Sequence, residues 1–403
     1  MSQVTPFKLD IPLSAIKDLK NRLTSARWPE VETVDDWTQG VPLSYHQTFC
    51  EHWANDYDWY QTQERLNQYN QFITNIEGLD VHFLHIRSSH ANAMPLVITH
   101  GWPGSIIEFH KILKPLTEPT QHGGSAEDAF HVVCPSLPGY GFSGKPTDTG
   151  WGVEKIAAAW DTLMLRIGYD SYLAQGGDWG SAITTAIGMQ DKGHCVGIHV
   201  NMPNASATKA ARENPNETDK LALAGAAFYQ QWDSGYSKQQ STRPQTLGYG
   251  LADSPIGQSA WILEKFYQWT DCKGHPENVL ERDEIIDNIM FYWLTNTGAS
   301  SARLYWESFG TAFSGADSSV RLPTGVSSYP KEIIRTPRSW AEQRYTNIQY
   351  WNDLDKGGHF AAFEQPELFV QEMRNWLKTV SRAVSYTHLR AHETREDLVC
   401  RLL

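Results

Sequence analysis

The residue around which this chain can be read as chemistry is Asp178, in the run Tyr172-Leu173-Ala174-Gln175-Gly176-Gly177-Asp178-Trp179-Gly180-Ser181-Ala182-Ile183. A short apolar stretch stops at two glycines, an acid and a Trp follow, and a third glycine opens a helix-like segment. That is a strand, a sharp turn and a helix with Asp178 at the apex. Small residues at Gly176, Gly180 and Ser181 suit such an elbow, because the strained turn brings neighbouring backbone very close. Ser is the commoner nucleophile at an apex of this kind and suits acyl carbonyls. A carboxylate can instead displace a leaving group from a saturated carbon, giving an enzyme ester whose carbonyl water can attack. The bland alternative is a glycine-rich turn whose Asp merely caps the next helix.

Two further clusters fit the first alternative. His100-Gly101-Trp102-Pro103 follows a strand and could aim the backbone N–H of Trp102 at an oxyanion, with the amide of Trp179 as its partner. Gly357-Gly358-His359-Phe360 follows a late strand and precedes a terminal helix. Of the 15 histidines, only His359 has that setting, which is where a general base belongs when chain order runs nucleophile, acid, His. The acid that orients it should follow an earlier strand. Glu332 fits, with Asp353 and Asp355 as rivals nearer to the base in sequence, and all three could equally be surface acids. Other candidates fail on geometry. His82 and His85 stand three apart in a strand, face opposite sides and cannot share a metal. Gly139-Tyr140-Gly141-Phe142-Ser143-Gly144 has glycines at dinucleotide-loop spacing, but Pro146 follows and no helix opens until about Val153, so a tight loop beside the pocket is expected. No metal and no organic cofactor is implied.

The elements that must position these residues change character along the chain. Residues 1–90 read as a meander: a helix over Ile11–Arg27, helices near Ser44–Tyr57 and Trp59–Asn67, then a hairpin of Phe72–Ile76 and Val81–Ile86 around Glu77-Gly78-Leu79-Asp80. Residues 91–203 alternate buried strands (Leu96–Thr99, His131–Cys134, the strand before Asp178, Val196–Val200) with helices (Ile106–Leu116, Val153–Ile167, and one to Gln190). That rhythm means a mostly parallel sheet with helices on both faces. Residues 204–320 read as an inserted helical lid, with helices over Leu221–Trp232, Ser259–Trp269 and Glu284–Leu294. Residues 321–383 return to the sheet through strands at Val326–Ile334 and Ile348–Trp351 and a helix over Pro366–Thr379. Residues 384–403, from Ser385-Tyr386-Thr387-His388 onward, resemble translated sequencing-adaptor DNA, so His388, His392 and Cys400 are not recruited as ligands.

Bulk properties narrow the partners. A formal charge of −12 without any basic cluster argues against nucleic acid. The 16 Trp and 17 Tyr serve a core and also a pocket for apolar ligands. Five scattered cysteines without CxxC suit a reduced, cytoplasmic protein. No secretion signal and no membrane-length apolar run is present, and a homodimer is compatible with the sequence.

Together these motifs resemble the epoxide hydrolases of the α/β-hydrolase fold, specifically the microsomal-type branch, from about Pro6 to Leu377. The likeness includes Trp28-Pro29, Gly40-Val41-Pro42-Leu43-Ser44-Tyr45, the HGWP loop, the GGDWG elbow, Asp253-Ser254-Pro255, Leu263-Glu264-Lys265-Phe266 and Gly357–Glu364. The resemblance implies Asp178 as nucleophile, His359 as base and Glu332 as relay acid. It also implies two lid tyrosines, Tyr236 in Asp233-Ser234-Gly235-Tyr236 and Tyr305 in Arg303-Leu304-Tyr305-Trp306, that hold the epoxide oxygen; Tyr249 lacks the matching context. Membrane-bound relatives begin with an anchor helix that this chain does not show, which implies a soluble form. The expected reaction is opening of a small apolar epoxide to a vicinal diol, with water as second substrate. A dehalogenase would use the same Asp, His and acid but would need halide donors in place of paired phenols. A non-catalytic binding protein on the same fold would have no use for the base and its acid.

Overall fold

The structure is a computed structural model and describes residues 3–312 and 319–380. The adaptor-like stretch 384–403 lies outside the described residues.

Among the described residues nine strands form one sheet: β1 (Val4–Phe7), β2 (Gln71–Ile76), β3 (Leu79–Ile86), β4 (Met94–Thr99), β5 (Phe130–Pro135), β6 (Tyr172–Gly176), β7 (Cys195–Val200), β8 (Thr324–Ser328) and β9 (Ile348–Asp353). Their order is β1-β2-β3-β5-β4-β6-β7-β8-β9. The pairs from β1 to β5 through β3 are antiparallel, and those from β5 to β9 are parallel. The β2–β3 hairpin closes through Glu77 and Gly78, both with left-handed φ (50° and 85°), so the turn's twist matches that of the strands. In β4 and β6, consecutive residues (Leu96, Val97, Ile98; Leu173, Ala174) are buried, which requires that both faces of the sheet be covered. This is the α/β-hydrolase fold.

Between β7 and β8 the described chain is helical, from Lys209–Glu213 to Gly298–Ala312. Helices Leu13–Thr24, Leu43–Asn55 and Trp59–Asn67 brace this insertion. His46 Nε2 meets Ser259 Oγ at 2.9 Å. The buried Asp287 carboxylate on helix Arg282–Trp293 accepts from Tyr57 Oη, Thr62 Oγ1 and Arg65 at 2.5–2.6 Å. A buried carboxylate so fully satisfied is a fixed anchor rather than a liability.

Several sequence expectations change in detail. The helix expected over Ile106–Leu116 is a 3₁₀ turn, Ile106–Phe109, and a short helix, Leu113–Thr117. Ser105 caps the first piece, and apolar residues on every side of the turn (Ile106, Ile107 and Phe109) are buried, so no amphipathic face directs one continuous helix. The strand expected to reach Ile334 ends at Ser328, ahead of Pro330, which cannot donate to a ladder. The helix expected over Leu221–Trp232 starts earlier, at Glu217. Asn216 and Asp219 form its capping box, and it passes into a π turn at Tyr229–Asp233. Among the described residues no helix is long and apolar enough to cross a membrane.

Candidate active site

β6 ends at Gly176 and the helix Asp178–Gln190 begins two residues later, with Asp178 itself at φ 50°. A left-handed φ at a non-glycine residue is strained, and such strain collects at functional sites. The surrounding glycines make it feasible. A Cβ on Gly180 would fall on the carbonyl of Thr99 at the end of β4, and one on Gly101 would fall on the Asp178 side chain. The elbow is thus pressed against the tip of the neighbouring strand, which aims the carboxylate beyond the sheet.

Asp178 Oδ1 accepts the backbone N–H of Trp102 at 2.7 Å. The Trp102–Pro103 peptide is cis. Trp179 lies in the first turn of the helix, at the positive end of its dipole, with its indole buried edge-on to Tyr305. Asp178 Oδ2 lies 3.2 Å from His359 Nε2. His359 Nδ1 is in turn 2.5 Å from Glu332 Oε1, which also accepts the amide of Ile333. The loop carrying His359 is tied down by His359 N–H to Trp269 O (2.9 Å) and by a bridge between Lys331 and Gly358. Asp353 and Asp355 are exposed, and Asp353 is engaged by Trp351 Nε1 at 3.0 Å. Of the three acids considered from sequence, Glu332 is the one that His359 touches. Burial opposes charge on the imidazole, but Glu332 and Asp178 on its two sides overcome it and hold His359 well above its usual pKa.

Tyr236 and Tyr305 reach the same place from helices Gly235–Thr242 and Gly298–Ala312. Their rings are 5.7 Å apart, and the indole of Trp102 stacks on Tyr236 at 4.9 Å and meets Tyr305 edge-on at 5.9 Å. Burial first, then the charge of Tyr305 at Tyr236 and that of Asp178 at both, push both phenols well above the usual range. Both therefore stay protonated donors. Together with Asp178 they line a cavity of about 310 Å³ whose other walls include Met202, Phe309, Ile333 and Ile334. Tyr249 is exposed on the outside.

Three residues of this site escaped the sequence reading. A second, small cavity of about 20 Å³ is lined by Asp178, His359, Glu108, Gln175 and Asn201 among others. That is room for one water molecule. Burial pushes the Glu108 carboxyl up to about 8, so it is protonated at neutral pH. Gln175 donates to Asn201 Oδ1 at 3.3 Å, while its own Oε1 is buried with no protein partner. The third residue is Tyr229, whose hydroxyl is 3.3 Å from that of Tyr236 and which lines the larger cavity. Each left a signal: an acid inside the apolar run Ile106–Phe109, a lone amide in the apolar strand β6, and a Tyr seven residues before Tyr236. The remaining candidates have other duties. His82 is buried between Ser136 and Gln71, and His85 meets Tyr169. Among the described residues no group of three or more His, Cys, Asp or Glu could hold a metal ion. Gly139 and Gly141 have left-handed φ in a turn closed by Gly139 N–H to Gly144 O.

The model of the epoxide hydrolase N terminus matches residues 4–109, and that of the alpha/beta hydrolase fold matches residues 94–252. Epoxide hydrolase 1 of Sus scrofa is 35% identical over 93% of this chain and 88% of its own length. The chain belongs to the epoxide hydrolases. A provisionally named epoxide hydrolase of Stigmatella aurantiaca (strain DW4/3-1) is 54% identical over 92% of the chain and 84% of its own length. The solved epoxide hydrolase of Aspergillus niger superposes with a TM-score of 0.84 at 31% identity, covering 94% of this chain and 97% of that one. The enzyme shares the activity class of these relatives and the sheet described above.

Proposed function

We propose that this epoxide hydrolase works through two covalent steps on Asp178. The observation that carries the proposal is the convergence on one cavity of the Asp178 carboxylate, bonded to His359, and the phenols of Tyr236 and Tyr305. In the first step an oxygen of Asp178 attacks an epoxide carbon. The ring C–O bond breaks, and Tyr236 and Tyr305 hydrogen-bond the leaving oxygen and supply its proton. The product is an ester whose carbonyl oxygen lies where Oδ1 now accepts from Trp102 N–H, with the amide of Trp179 as second donor.

In the second step His359, held by Glu332, takes a proton from water, and the water oxygen attacks the ester carbonyl carbon. Alkylation prepares this step. It removes the charge of Asp178, one of the two anions that raise the His359 pKa, so that pKa falls when the ester forms and the neutral imidazole, the form able to take a proton, becomes available. The small cavity beside His359, with Glu108 and Gln175 Oε1 in its wall, suits the attacking water. Collapse expels the diol and restores the carboxylate. The apolar walls of the larger cavity, Met202, Phe309, Ile333 and Ile334, favour a small apolar epoxide. A cytoplasmic location fits the four described cysteines, all free and buried.

Paired phenols also separate this chemistry from halide release, since an opening epoxide develops alkoxide charge that needs a proton and a departing halide does not. Tyr236→Phe and Tyr305→Phe should each slow alkylation by about 10²–10⁴-fold and leave ester hydrolysis nearly unchanged. Single-turnover Trp fluorescence follows both phases. A double variant that alkylates at the unaltered rate, or an enzyme that releases halide from alkyl halides faster than it opens any epoxide, overturns the proposal.

A further inference from the structure

The helix Glu217–Phe228 does not end in a cap but widens into the π turn Tyr229–Asp233. Such turns re-aim one side chain and recur at functional sites. Here Phe228 is left half-exposed while Tyr229 turns inward to line the cavity. The far end of the turn is pinned: Asp233 is buried and accepts from Lys265 Nζ at 2.7 Å and Trp269 Nε1 at 2.6 Å.

Proton accounting gives Tyr229 a direction. Ser237 Oγ donates to the carbonyl of Ser234 at 2.9 Å, so its only proton is committed. Tyr229 therefore acts as donor, and its O–H is shared between Ser237 Oγ at 2.9 Å and the oxygen of Tyr236 at 3.3 Å. With its oxygen accepting from Tyr229, Tyr236 is left to direct its own proton into the cavity.

We infer that Tyr229 is a positioning residue for epoxide opening: it turns the proton of Tyr236 toward the substrate and stabilises the phenolate that Tyr236 becomes. The inference rests on Tyr236 being a donor to the epoxide oxygen, as proposed above. In the step, the carboxylate oxygen–carbon bond forms and the ring C–O bond breaks. The alkoxide takes the proton of Tyr236, while Tyr305 keeps its own. The Tyr229 proton stays on Tyr229 and shifts from Ser237 toward the Tyr236 oxygen, a rotation about one C–O bond with no movement of heavy atoms. The two protons of the attacking water later complete the second hydroxyl of the diol and restore Tyr236.

Tyr229→Phe tests this in single-turnover fluorescence with an excess of a styrene-type epoxide. A hydrogen bond to a charged group corresponds to a slowing of roughly 10- to 100-fold, expected in alkylation and not in hydrolysis. The same substitution should have no further effect in a Tyr236→Phe background and its full effect in a Tyr305→Phe background. Ser237→Ala removes the competing acceptor and should leave alkylation equal or faster. The loss in Tyr229→Phe should be larger for aliphatic epoxides, which release more basic alkoxides, than for electron-poor ones. The inference is overturned if Tyr229→Phe alkylates at the parent rate while Tyr236→Phe is slow. Equal slowing in the Tyr236→Phe background, or slowing by Ser237→Ala as large as that by Tyr229→Phe, overturns it too, because the cluster is then only scaffold. If Tyr236→Phe alone leaves alkylation unchanged, the donor role of Tyr236 fails and takes the inference with it.

Discussion

Replacing Glu108 by Gln should change how the stability of this protein depends on pH. The carboxyl is buried beside Asp178 and His359. Burial above all, and then the charge of Asp178, raise it from the usual 4.5 to about 8, against the opposing pull of His359 and the Ser105 amide. A raised carboxyl binds its proton more tightly in the folded chain than in the unfolded one. Its stabilising contribution is therefore complete below about pH 4.5 and is lost as pH rises toward 8. Each pKa unit is worth about 1.4 kcal/mol, so the full loss is about 5 kcal/mol, spread at about 1.4 kcal/mol per pH unit between pH 5 and 8. Gln titrates nowhere, and any packing difference it brings is the same at every pH. Urea denaturation at half-unit steps from pH 5 to 9 gives both curves. The variant should gain on the parent through that window and then run parallel above pH 8. Curves parallel throughout would show that Glu108 ionises normally, and the reading of the small cavity as a site beside a neutral carboxyl would be wrong.

Three other outcomes follow from the geometry. His359→Gln should alkylate but fail to hydrolyse, leaving an enzyme–substrate adduct in intact mass spectra; rapid return to free enzyme would exclude His359 as the base. Glu332→Gln should slow hydrolysis by at least tenfold while Asp353→Asn changes little, since Glu332 touches His359 and Asp353 faces Arg335 instead; the opposite ranking in single-turnover hydrolysis would move the relay to Asp353. Gly180→Ala should destabilise the fold by several kcal/mol, because its Cβ would fall on the Thr99 carbonyl; an unchanged melting temperature would mean that the elbow is not pressed against β4.

Most of the framework was legible because the relevant signals are local. The apolar strand that stops at Gly176-Gly177, and the glycines that let Asp178 adopt φ 50°, sit next to one another in sequence. The hairpin at Glu77-Gly78 and the helix Trp59–Asn67 are likewise set by their own residues. What failed depended on residues far away. Ile106–Leu116 has the composition of a helix, but its first turn, Ile106–Phe109, is buried on every side, so its form is dictated by neighbours that it packs against. The π turn at Tyr229 is held by Asp233, whose partners lie more than thirty residues on, at Lys265 and Trp269. Choosing Glu332 over Asp353 and Asp355 required resemblance, because spacing alone says which acids are near the base in sequence and not which one faces it. Glu108 showed in the sequence only as an acid inside an apolar run, and nothing in Ile106–Phe109 reveals that it lines a water-sized cavity beside His359.

The central claim is that Asp178 itself is esterified and that water attacks its carbonyl carbon. A single turnover of excess enzyme in heavy-oxygen water, followed by digestion and mass analysis of the peptide containing Asp178, reads this directly. The account predicts one heavy oxygen in the Asp178 carboxylate and unlabelled diol from that first turnover. Label in the diol with none in Asp178 would mean that water opens the epoxide directly, and the covalent mechanism would be contradicted.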